Sequence, residues 1–372
     1  MRPKEYRIKE LLREKGLDGA IVSSPENFHY VTGFGGHQHT VSRQPGFTLA
    51  VMRADDKVPT HLTTMDFEAA TFRIKAAGLN FVVDPYDTWV GLKTWDEIAH
   101  GAVVPDKTAM ESSMDKLVQF MKACDLANKK VGVELDYLPV PYYKSLTEKF
   151  PEAEFVDISD LFVYARSVKQ PDEIEMFRNL CRIADHGFTE VSKIAKIGVS
   201  ERELAQCFRE DVIKSGFCAP SSWSMFSTGP SSARLTLPGD GVVKDGDVVK
   251  FDAGVNAEFD FYTTDTSRAW IIGNGDPALL KLKDRLYEGQ RRMIAAAKPG
   301  LPINELYHTA YDYVKEMFPC YRRGHQGHSI SMGPATAEAP YINASETRPL
   351  EAGMILAMEV PCYIDGVNGF NY

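Results

Sequence analysis

The sequence predicts two domains, an α/β domain over residues 1–165 and an α+β domain over residues 166–372. A chain of 372 residues is longer than most single domains. Its first part alternates helical and strand-like patterns, whereas its second part places long helices before and between strand-rich segments. Hydrophobic residues make up 44% of the chain, which is enough to build a core in each domain.

Short apolar runs and amphipathic segments indicate the elements of the first domain. A run of small and β-branched residues predicts a buried strand, and apolar residues three or four apart predict a helix. In chain order the predicted elements are a helix at Arg7–Lys15, a strand at Gly19–Val22, a helix at about Met65–Ala77, and strands at Phe81–Val83, Val131–Leu135 and Phe155–Ile158. This alternation is typical of an α/β domain.

A long helix is predicted to open the second domain, after the polar segment Arg166–Pro171. Pro171 suits the first helical position, and acidic residues follow it in the first turn, where the helix dipole favours them. Apolar residues then recur at three- and four-residue steps from Ile174 to Val191. Further helices are expected near residues 200–215, 277–297 and 302–317, with strands between and after them.

The charge and composition exclude two classes of protein. With 51 acidic and 42 basic residues the formal net charge is −9, and no basic stripe is present, so a nucleic-acid partner is excluded. No run of about 18 apolar residues predicts a membrane-spanning helix. The N-terminal residues lack the apolar core of a signal peptide, and the six cysteines show no metal-binding spacing. We therefore expect a cytoplasmic protein with reduced thiols and no contact with a membrane.

Two aspartates flank a predicted β-hairpin in the second domain. Asp252 follows a strand that begins at Asp247, and Asp265 ends the segment that returns. If the hairpin closes symmetrically about residues 258 and 259, the two aspartates become direct cross-strand partners, with Cβ atoms about 4.5–5.5 Å apart. Facing carboxylates repel each other unless a proton or a cation lies between them. A buried pair therefore indicates a divalent metal site, and the alternative is two solvated turn residues.

An imidazole and a third carboxylate add to this pair. His328 follows a glycine-containing segment, and Glu359 lies within the apolar segment 354–360. A carboxylate is costly to bury among apolar residues unless it is paired or binds a cation. Each of these residues alone also fits an ordinary polar position. Together, two aspartates, one histidine and one glutamate form a specific pattern for metal binding.

The order of these residues resembles that of the pita-bread metallopeptidases, the family of methionine aminopeptidase, prolidase and aminopeptidase P. The matching motifs are Asp252-x-Gly, Asp265-x-Ser-Arg, Gly327-His328 and Glu359. Further segments resemble the family at Asn27–Phe34, Arg166–Arg178, Pro238–Asp240 and Glu351–Met354. The resemblance implies a creatinase-like N-terminal domain over residues 1–165 and a pita-bread catalytic domain, built on a curved antiparallel sheet, over residues 166–372.

The resemblance also implies the chemistry of the site. Asp252, Asp265, His328 and Glu359 would bind two divalent metal ions, and Mn²⁺, Co²⁺, Zn²⁺ and Fe²⁺ are all compatible with these ligands. A hydroxide that bridges the metals would attack an amide carbonyl, and Glu359 would carry the proton to the leaving nitrogen. The implied function is that of an Xaa-Pro peptidase-like hydrolase, acting as a homodimer on a small peptide or a small amide.

The sequence departs from the family pattern near the residues that would contact substrate. The interval from Asp252 to Asp265 is two residues longer than the family interval. The segment Ala337–Pro340 lacks the histidine of the family's H-E-x-P segment, and no histidine shortly precedes Pro238. The family's final glutamate ligand would follow Tyr372, so we expect a further strand beyond that residue.

These departures leave the substrate open. His325, or a histidine of a partner subunit, would replace the missing imidazoles, and the residues expected to contact substrate are His39, Tyr262 and Glu338. The longer hairpin and the absent histidines favour an alternative in which the same fold serves as a small-molecule C–N hydrolase or a lyase. A third hypothesis is a metal-free binding module. The four ligand-type residues argue against it.

Overall fold

The computed structural model describes residues 3–103, 111–216, 218–258, 260–333 and 336–372. Contacts between Cα atoms divide the chain into unit 1, Met1–Ala165, and unit 2, Arg166–Tyr372. No helix in the described ranges is both long and apolar enough to cross a membrane.

Unit 1 is built around a mixed sheet. Its strands are β1 (Gly19–Val22), β2 (Leu49–Arg53), β3 (Thr60–Thr63), β4 (Phe81–Val83), β5 (Lys130–Val133) and β6 (Glu154–Asp157). They lie in the order β4-β3-β2-β1-β5-β6 across the sheet. The β1–β5, β5–β6 and β3–β4 pairs are parallel, and β2 pairs antiparallel with both β1 and β3. Helices separate many of these strands along the chain, so the predicted α/β class is confirmed.

The helices of unit 1 supply the other half of its core. They are α1 (Pro3–Glu14), α2 (Pro25–Thr32), α3 (Ala69–Ala76), α4 (Trp95–His100), α5 (Ser113–Ala123), α6 (Val140–Lys149) and α7 (Ser159–Ser167). Phe120 of α5 and Leu146 of α6 belong to one buried cluster with Ile21, Val51 and Val131 of the sheet. Burial of these side chains is the main favourable term that holds the helices on the strands.

The strongest local patterns in unit 1 predicted the bounds of two of its strands correctly. The strands predicted at Gly19–Val22 and Phe81–Val83 are confirmed at both ends. The helix predicted at about Met65–Ala77 is confirmed in its second part only, because Asp66–Glu68 form a 3₁₀ turn before the α-helix begins at Ala69.

Unit 2 begins with helix α8 (Pro171–Ile194), as predicted. Gln170 caps it, since the side chains of Gln170 and Glu173 each accept a hydrogen bond from the other's backbone N–H. The apolar face of α8 buries Phe177, Leu180 and Phe188. The other long helices, all near their predicted positions, are α9 (Glu201–Lys214), α10 (Pro277–Ala296) and α11 (Ile303–Met317).

Antiparallel strand pairs form the sheets of unit 2. The strands are β7 (Cys218–Pro220), β8 (Met225–Thr228), β9 (Val248–Ala253), β10 (Val255–Ala257), β11 (Thr266–Ile271), β12 (Gly327–Ile330), β13 (Ala337–Tyr341), β14 (Leu356–Met358), β15 (Cys362–Ile364) and β16 (Asn368–Phe370). β9 lies between β8 and β11, β12 lies between β13 and β14, β10 pairs with β7, and β15 pairs with β16. These pairings are antiparallel, which confirms the predicted α+β class.

The core of unit 2 connects the helices to the strands that hold the candidate site. Leu286 of α10, Val314 of α11, Val248 of β9 and Phe370 of β16 belong to one buried cluster. Because a packed core tolerates little displacement, this cluster fixes β9 and β16 relative to each other.

Candidate metal centre

The hairpin that carries the two aspartates closes in a different register from the predicted one. Asp252 on β9 lies opposite Ser267, not opposite Asp265, so the predicted direct pairing is wrong. The bridge between Asn256 and Thr263 continues the same register toward the tip. The shift is two residues, and side chains alternate with a period of two, so the aspartates keep one face and become diagonal neighbours.

A glycine lets the hairpin bend directly after Asp252. A Cβ atom on Gly254 would lie 2.1 Å from the carbonyl oxygen of Thr264 and 2.9 Å from the Trp223 ring. No side chain fits there without moving the backbone. The Asp-x-Gly spacing therefore has a structural cause, which is the close approach of the two arms of the hairpin.

Asp252 is buried beside other carboxylates. Its side chain is 7% exposed, and the Nδ2 amide of Asn371 donates to its Oδ2 over 3.1 Å. Burial raises the pKa of Asp252, and the negative charges of Asp265 and Glu359 raise it further. The raised pKa means that this position favours either a proton or a nearby cation.

His328 on β12 points toward Asp265. Its Nδ1 is 3.0 Å from the carbonyl oxygen of Ser329, which can only accept, so Nδ1 carries a proton. Its Nε2 is 3.2 Å from Asp265 Oδ2. Burial lowers the pKa of His328, but the hydrogen bond and the charge of Asp265 outweigh it and raise the pKa overall. Loss of the Nε2 proton would leave a neutral ring with its lone pair toward Asp265, which is the state of histidine that binds a metal.

A second glycine allows β12 to approach β14. Gly327 has φ +124°, and a Cβ atom there would lie 1.9 Å from the carbonyl oxygen of Ala357. The Gly-His pair therefore needs glycine for the strand contact and histidine for the site. Met358, the register partner of Gly327, directly precedes Glu359, so the same contact brings Glu359 close to His328.

Two groups donate hydrogen bonds to Glu359, and His325 lies beside it. Arg323 donates from Nη2 to Oε1 over 2.9 Å, and Asn371 donates from Nδ2 to Oε2 over 3.2 Å. The Nδ1 atom of His325 is 3.6 Å from Oε1. The Asn371 amide thus bridges Asp252 and Glu359, while its Oδ1 is buried and has no hydrogen-bond partner among the described residues.

Lys250 is a buried cation that the sequence analysis missed. It lies on β9 two residues before Asp252, so the two side chains share a face. Its Nζ is 3.2 Å from the carbonyl oxygen of Arg234 and 4.8 Å from the centre of the Tyr363 ring. Burial lowers the pKa of Lys250 to about 8, against the opposing effect of Asp252 and Glu359. The signal in the sequence was a lysine two residues before Asp252, in a strand whose other residues are apolar.

The donor set fits divalent metal ions, although the side chains are held by protein groups. In the part of the chain that the structure describes, no three His, Cys, Asp or Glu side chains are close enough to enclose a metal ion. They meet in pairs, with Asp265 against His328 and Asp252 joined to Glu359 through Asn371. Three carboxylates, one imidazole and the unpartnered Oδ1 of Asn371 are ligands of the kind that Mn²⁺, Co²⁺, Fe²⁺ and Zn²⁺ accept.

His325 lies beside this group. Its ring centre is 6.2 Å from that of His328 and 5.7 Å from that of Tyr341. The backbone N–H of Gly327 donates to His325 Nδ1 over 3.2 Å, so a neutral ring carries its proton on Nε2. Burial and the charge of Arg323 lower the pKa of His325.

Two predicted substrate contacts are corrected by the structure of unit 2. Tyr262 is 2% exposed; its hydroxyl donates to Glu173 over 2.6 Å and its ring lies edge-on to Phe177, so it is a core residue. The Glu338 carboxylate is 2.6 Å from Arg166 Nη2, and both side chains are at least nine-tenths buried. Neither side chain is free to bind substrate.

The third predicted substrate contact, His39, is corrected in the same way. Its ring is fully buried in unit 1, and Nε2 donates to the carbonyl oxygen of Ser23 over 2.8 Å. Its Nδ1 is buried without a hydrogen-bond partner among the residues described. Burial lowers the pKa of His39 from 6.5 to about 4. His39 is therefore a neutral imidazole in the core and not the accessible loop residue that the sequence predicted.

This burial predicts that acid destabilises the protein through His39. Because its folded pKa of about 4 lies below the unfolded value of 6.5, the unfolded chain takes up the proton first as the pH falls. The stabilisation that comes from the neutral His39 ring is complete above pH 6.5 and is lost as the pH falls toward 4. At pH 5 the free energy of unfolding is lower by about 2 kcal/mol. Urea unfolding of wild type and His39→Gln at pH 7.5 and 5 measures this difference. The exposed His100→Gln is the control, and equal pH dependence of wild type and His39→Gln would contradict the prediction.

Comparison with known proteins gives the class of this chain. The sequence profile described as metallopeptidase family M24 matches residues 175–372, and that of the creatinase/prolidase N-terminal domain matches residues 6–168. The chain therefore belongs to metallopeptidase family M24, whose members are metal-dependent peptidases. The resemblance drawn from the motifs is confirmed.

Individual relatives share sequence along nearly the whole chain. The uncharacterized peptidase YqhT of Bacillus subtilis (strain 168) is 25% identical over 368 residues, which cover 98% of this chain and 91% of the relative. The uncharacterized peptidase SAS1635 of Staphylococcus aureus (strain MSSA476) is 28% identical over 372 residues, with coverage of 98% and 92%.

Solved structures share the fold. An Xaa-Pro dipeptidase from Bacillus anthracis has a TM-score of 0.80 at 23% identity, covering 99% of this chain and 92% of that one. A prolidase from Pyrococcus furiosus has a TM-score of 0.74 at 22% identity, covering 98% and 94%.

Proposed function

We propose that this protein is an Xaa-Pro peptidase of the prolidase or aminopeptidase P type. The observations that carry the proposal are two pairs in unit 2 of an M24 chain: Asp265 lies against His328, and the Asn371 amide joins Asp252 to Glu359. Fold neighbours named Xaa-Pro dipeptidase and prolidase support the choice of substrate. The substrate is then a short peptide with proline in the second position.

The four side chains are proposed as ligands of two divalent metal ions. Asp252 and Asp265 lie on one face of the hairpin, and His328 and Glu359 come from β12 and the residue after β14. When bound, the metal ions would polarise the scissile carbonyl and lower the pKa of a water molecule. Mn²⁺, Co²⁺, Zn²⁺ and Fe²⁺ all suit these ligands.

Glu359 and His325 are proposed to handle the proton and the carbonyl oxygen. Glu359 is oriented by Arg323 and Asn371, so its carboxylate can take a proton from water and pass it to the leaving nitrogen. His325 has a lowered pKa and a proton on Nε2 when neutral, so it can donate a hydrogen bond to the carbonyl oxygen. Arg323 acts through Glu359 and is a positioning residue.

A second candidate function keeps the fold and changes the substrate. The segment Ala337–Pro340 places its carboxylate, Glu338, in a buried ion pair and presents no imidazole. A site with fewer groups that hold a peptide suits a smaller substrate, so a small-molecule C–N hydrolase or lyase is the alternative.

A substrate panel tests the two candidates. With Mn²⁺, Co²⁺ or Zn²⁺, we expect the purified protein to release Xaa from Xaa-Pro dipeptides or from longer peptides with proline second, and to leave matched Xaa-Ala peptides uncut. Mass spectrometry of the intact protein is expected to find two divalent ions per chain. Failure to cut any Xaa-Pro peptide with any of these metals would exclude the first candidate, and failure to bind metal would exclude both.

The same assay tests the role of His325. We expect His325→Gln to lower kcat by about 100-fold with a smaller change in KM, because the hydrogen bond to the carbonyl oxygen strengthens in the transition state. Its metal content should stay unchanged. His308→Gln, on the exposed face of α11, is the control. An unchanged kcat in His325→Gln would remove His325 from the mechanism.

We further propose a homodimer in the cytoplasm. Trp89, Leu92, Trp95 and Ile98 of unit 1 lie within ten positions of the chain and are each more than 60% exposed, and a contiguous apolar patch of such residues would suit a contact with a second copy of the chain. The six cysteines are free, which suits a reducing compartment. Light scattering that gives the mass of one chain would contradict the dimer.

A further inference from the structure

A cavity in unit 2 lies on the opposite side of the β8–β9 pair from Asp252. Phe226 of β8 forms part of its wall. Phe226 is the register partner of Phe251 on β9, with ring centres 4.9 Å apart, so both rings point to the same face. Asp252 follows Phe251 directly and points to the other face because side chains alternate along a strand. The cavity is therefore separate from the candidate metal centre.

The polar lining of this cavity carries positive charge. Arg202, Gln206 and Arg209 project from α9 at spacings of four and three residues, which places them on one helix face. No acidic side chain lines the cavity within the described residues. Arg209 forms no ion pair with a described residue. Arg202 pairs with Asp240, whose side chain is 91% exposed, and exposed pairs of this kind contribute little stability.

The opposite wall carries serine hydroxyl groups, of which that of Ser221 already bonds to Asn256 and Thr263. Ser221, Ser222 and Ser224 line the cavity next to β7. The Oγ atom of Ser224 is buried and has no hydrogen-bond partner among the residues described. Buried polar atoms are almost always hydrogen-bonded, so rotation of the Ser224 side chain toward a ligand in the cavity would give this hydroxyl a partner.

The size of the cavity and the apolar part of its lining indicate which kind of ligand would fit. The cavity volume is about 390 Å³, within the range of small-molecule sites. The two arginines are seven residues apart, about 10 Å along the helix axis, so their long side chains must converge to hold one anionic group. Phe226 and Leu237 supply apolar surface, and Leu237 is 62% exposed at the mouth.

We propose that this cavity binds a small organic anion, a phosphate ester or a carboxylate with an apolar part. Arg202 and Arg209 neutralise the anionic group, the Ser224 hydroxyl donates to it, and the apolar part packs against Phe226 and Leu237. The site is independent of the proposed peptidase reaction, since none of these residues belongs to the metal centre.

Calorimetric titration of the purified full chain at low salt tests the proposal with phenyl phosphate, benzoate, inorganic phosphate and phenol. We expect phenyl phosphate or benzoate to bind at one site per chain, inorganic phosphate to bind about tenfold more weakly, and phenol not to bind. The two organic anions distinguish a phosphate ester from a carboxylate. Binding of neither, or equal binding of phenol, would overturn the proposal.

Variants locate the binding site. Arg209→Gln should weaken binding by about tenfold, the loss expected for one charge-assisted hydrogen bond. Arg178→Gln, an exposed arginine on α8, should bind like wild type. Asp252→Asn should also bind like wild type, and loss of binding in that variant would assign the ligand to the metal centre instead. Arg209→Glu repeats the test with the charge reversed, and wild-type affinity in both Arg209 variants would overturn the assignment.

Discussion

Replacing Asp252 by Asn is expected to abolish both metal binding and peptide hydrolysis while the protein stays folded. The carboxylate is buried between Asp265 and Glu359, where burial and these charges raise its pKa. An amide of the same shape removes one of three negative charges and leaves a poor metal ligand. Groups that merely support a metal ligand change affinity by about 10–100-fold, so loss of the ligand itself should exceed 100-fold.

The stability of the metal-free Asp252→Asn variant separates a ligand from a structural residue. Replacing the Asp252 carboxylate by an amide relieves repulsion among buried carboxylates, so the free energy of unfolding should not fall. Urea unfolding without metal, the metal content and the rate of Xaa-Pro cleavage are measured together. Asp284→Asn, whose side chain is 75% exposed, is the control. Full activity in Asp252→Asn would refute the proposed metal centre.

Replacing Arg166 by Met is expected to destabilise the protein by about 3–5 kcal/mol. Arg166 and Glu338 form a buried pair, with exposed side-chain fractions of 7% and 10%. Removing the guanidinium leaves the Glu338 carboxylate buried without its closest partner. Lys169 is also buried near Glu338. Burial lowers the pKa of Lys169 to about 8, against the opposing effect of the Glu338 carboxylate, so this lysine compensates only in part for the lost guanidinium.

The double variant shows whether the loss comes from an uncompensated charge. Arg166→Met combined with Glu338→Leu removes both charges and should recover much of the stability. Arg182→Met, which breaks an exposed pair with Glu175, should cost less than about 1 kcal/mol. Urea unfolding measures all four proteins. If Arg166→Met costs no more than Arg182→Met, Glu338 is free enough to serve as the substrate contact that the sequence suggested.

Elements that repeat a pattern within a few residues were predictable from the sequence. Helix α8 begins at Pro171 because the proline, the acidic first turn and the apolar spacing agree. Strand β1 is bounded as predicted because its four residues are all buried. The hairpin register was not predictable, since the close approach of Gly254 to Thr264, rather than symmetry, goes with the observed pairing.

The candidate site divides in the same way. The spacing of Asp252, Asp265, His328 and Glu359 was visible in the sequence because each lies within a motif. The groups that hold these four side chains were not visible in the sequence. Asn371 contacts Asp252 across 119 positions of the chain, and Arg323 contacts Glu359 across 36. No local periodicity marks such partners.

The sequence by itself determined the two fold classes, the family and the set of candidate ligands, because periodicity and motif order are local properties. Only the tertiary structure decided which polar residues face one another. It buried His39, Tyr262 and Glu338, and it placed Lys250 and Arg323 among the carboxylates. The physical reason is that a charge in a protein interior must be paired, and packing between distant segments selects the partner.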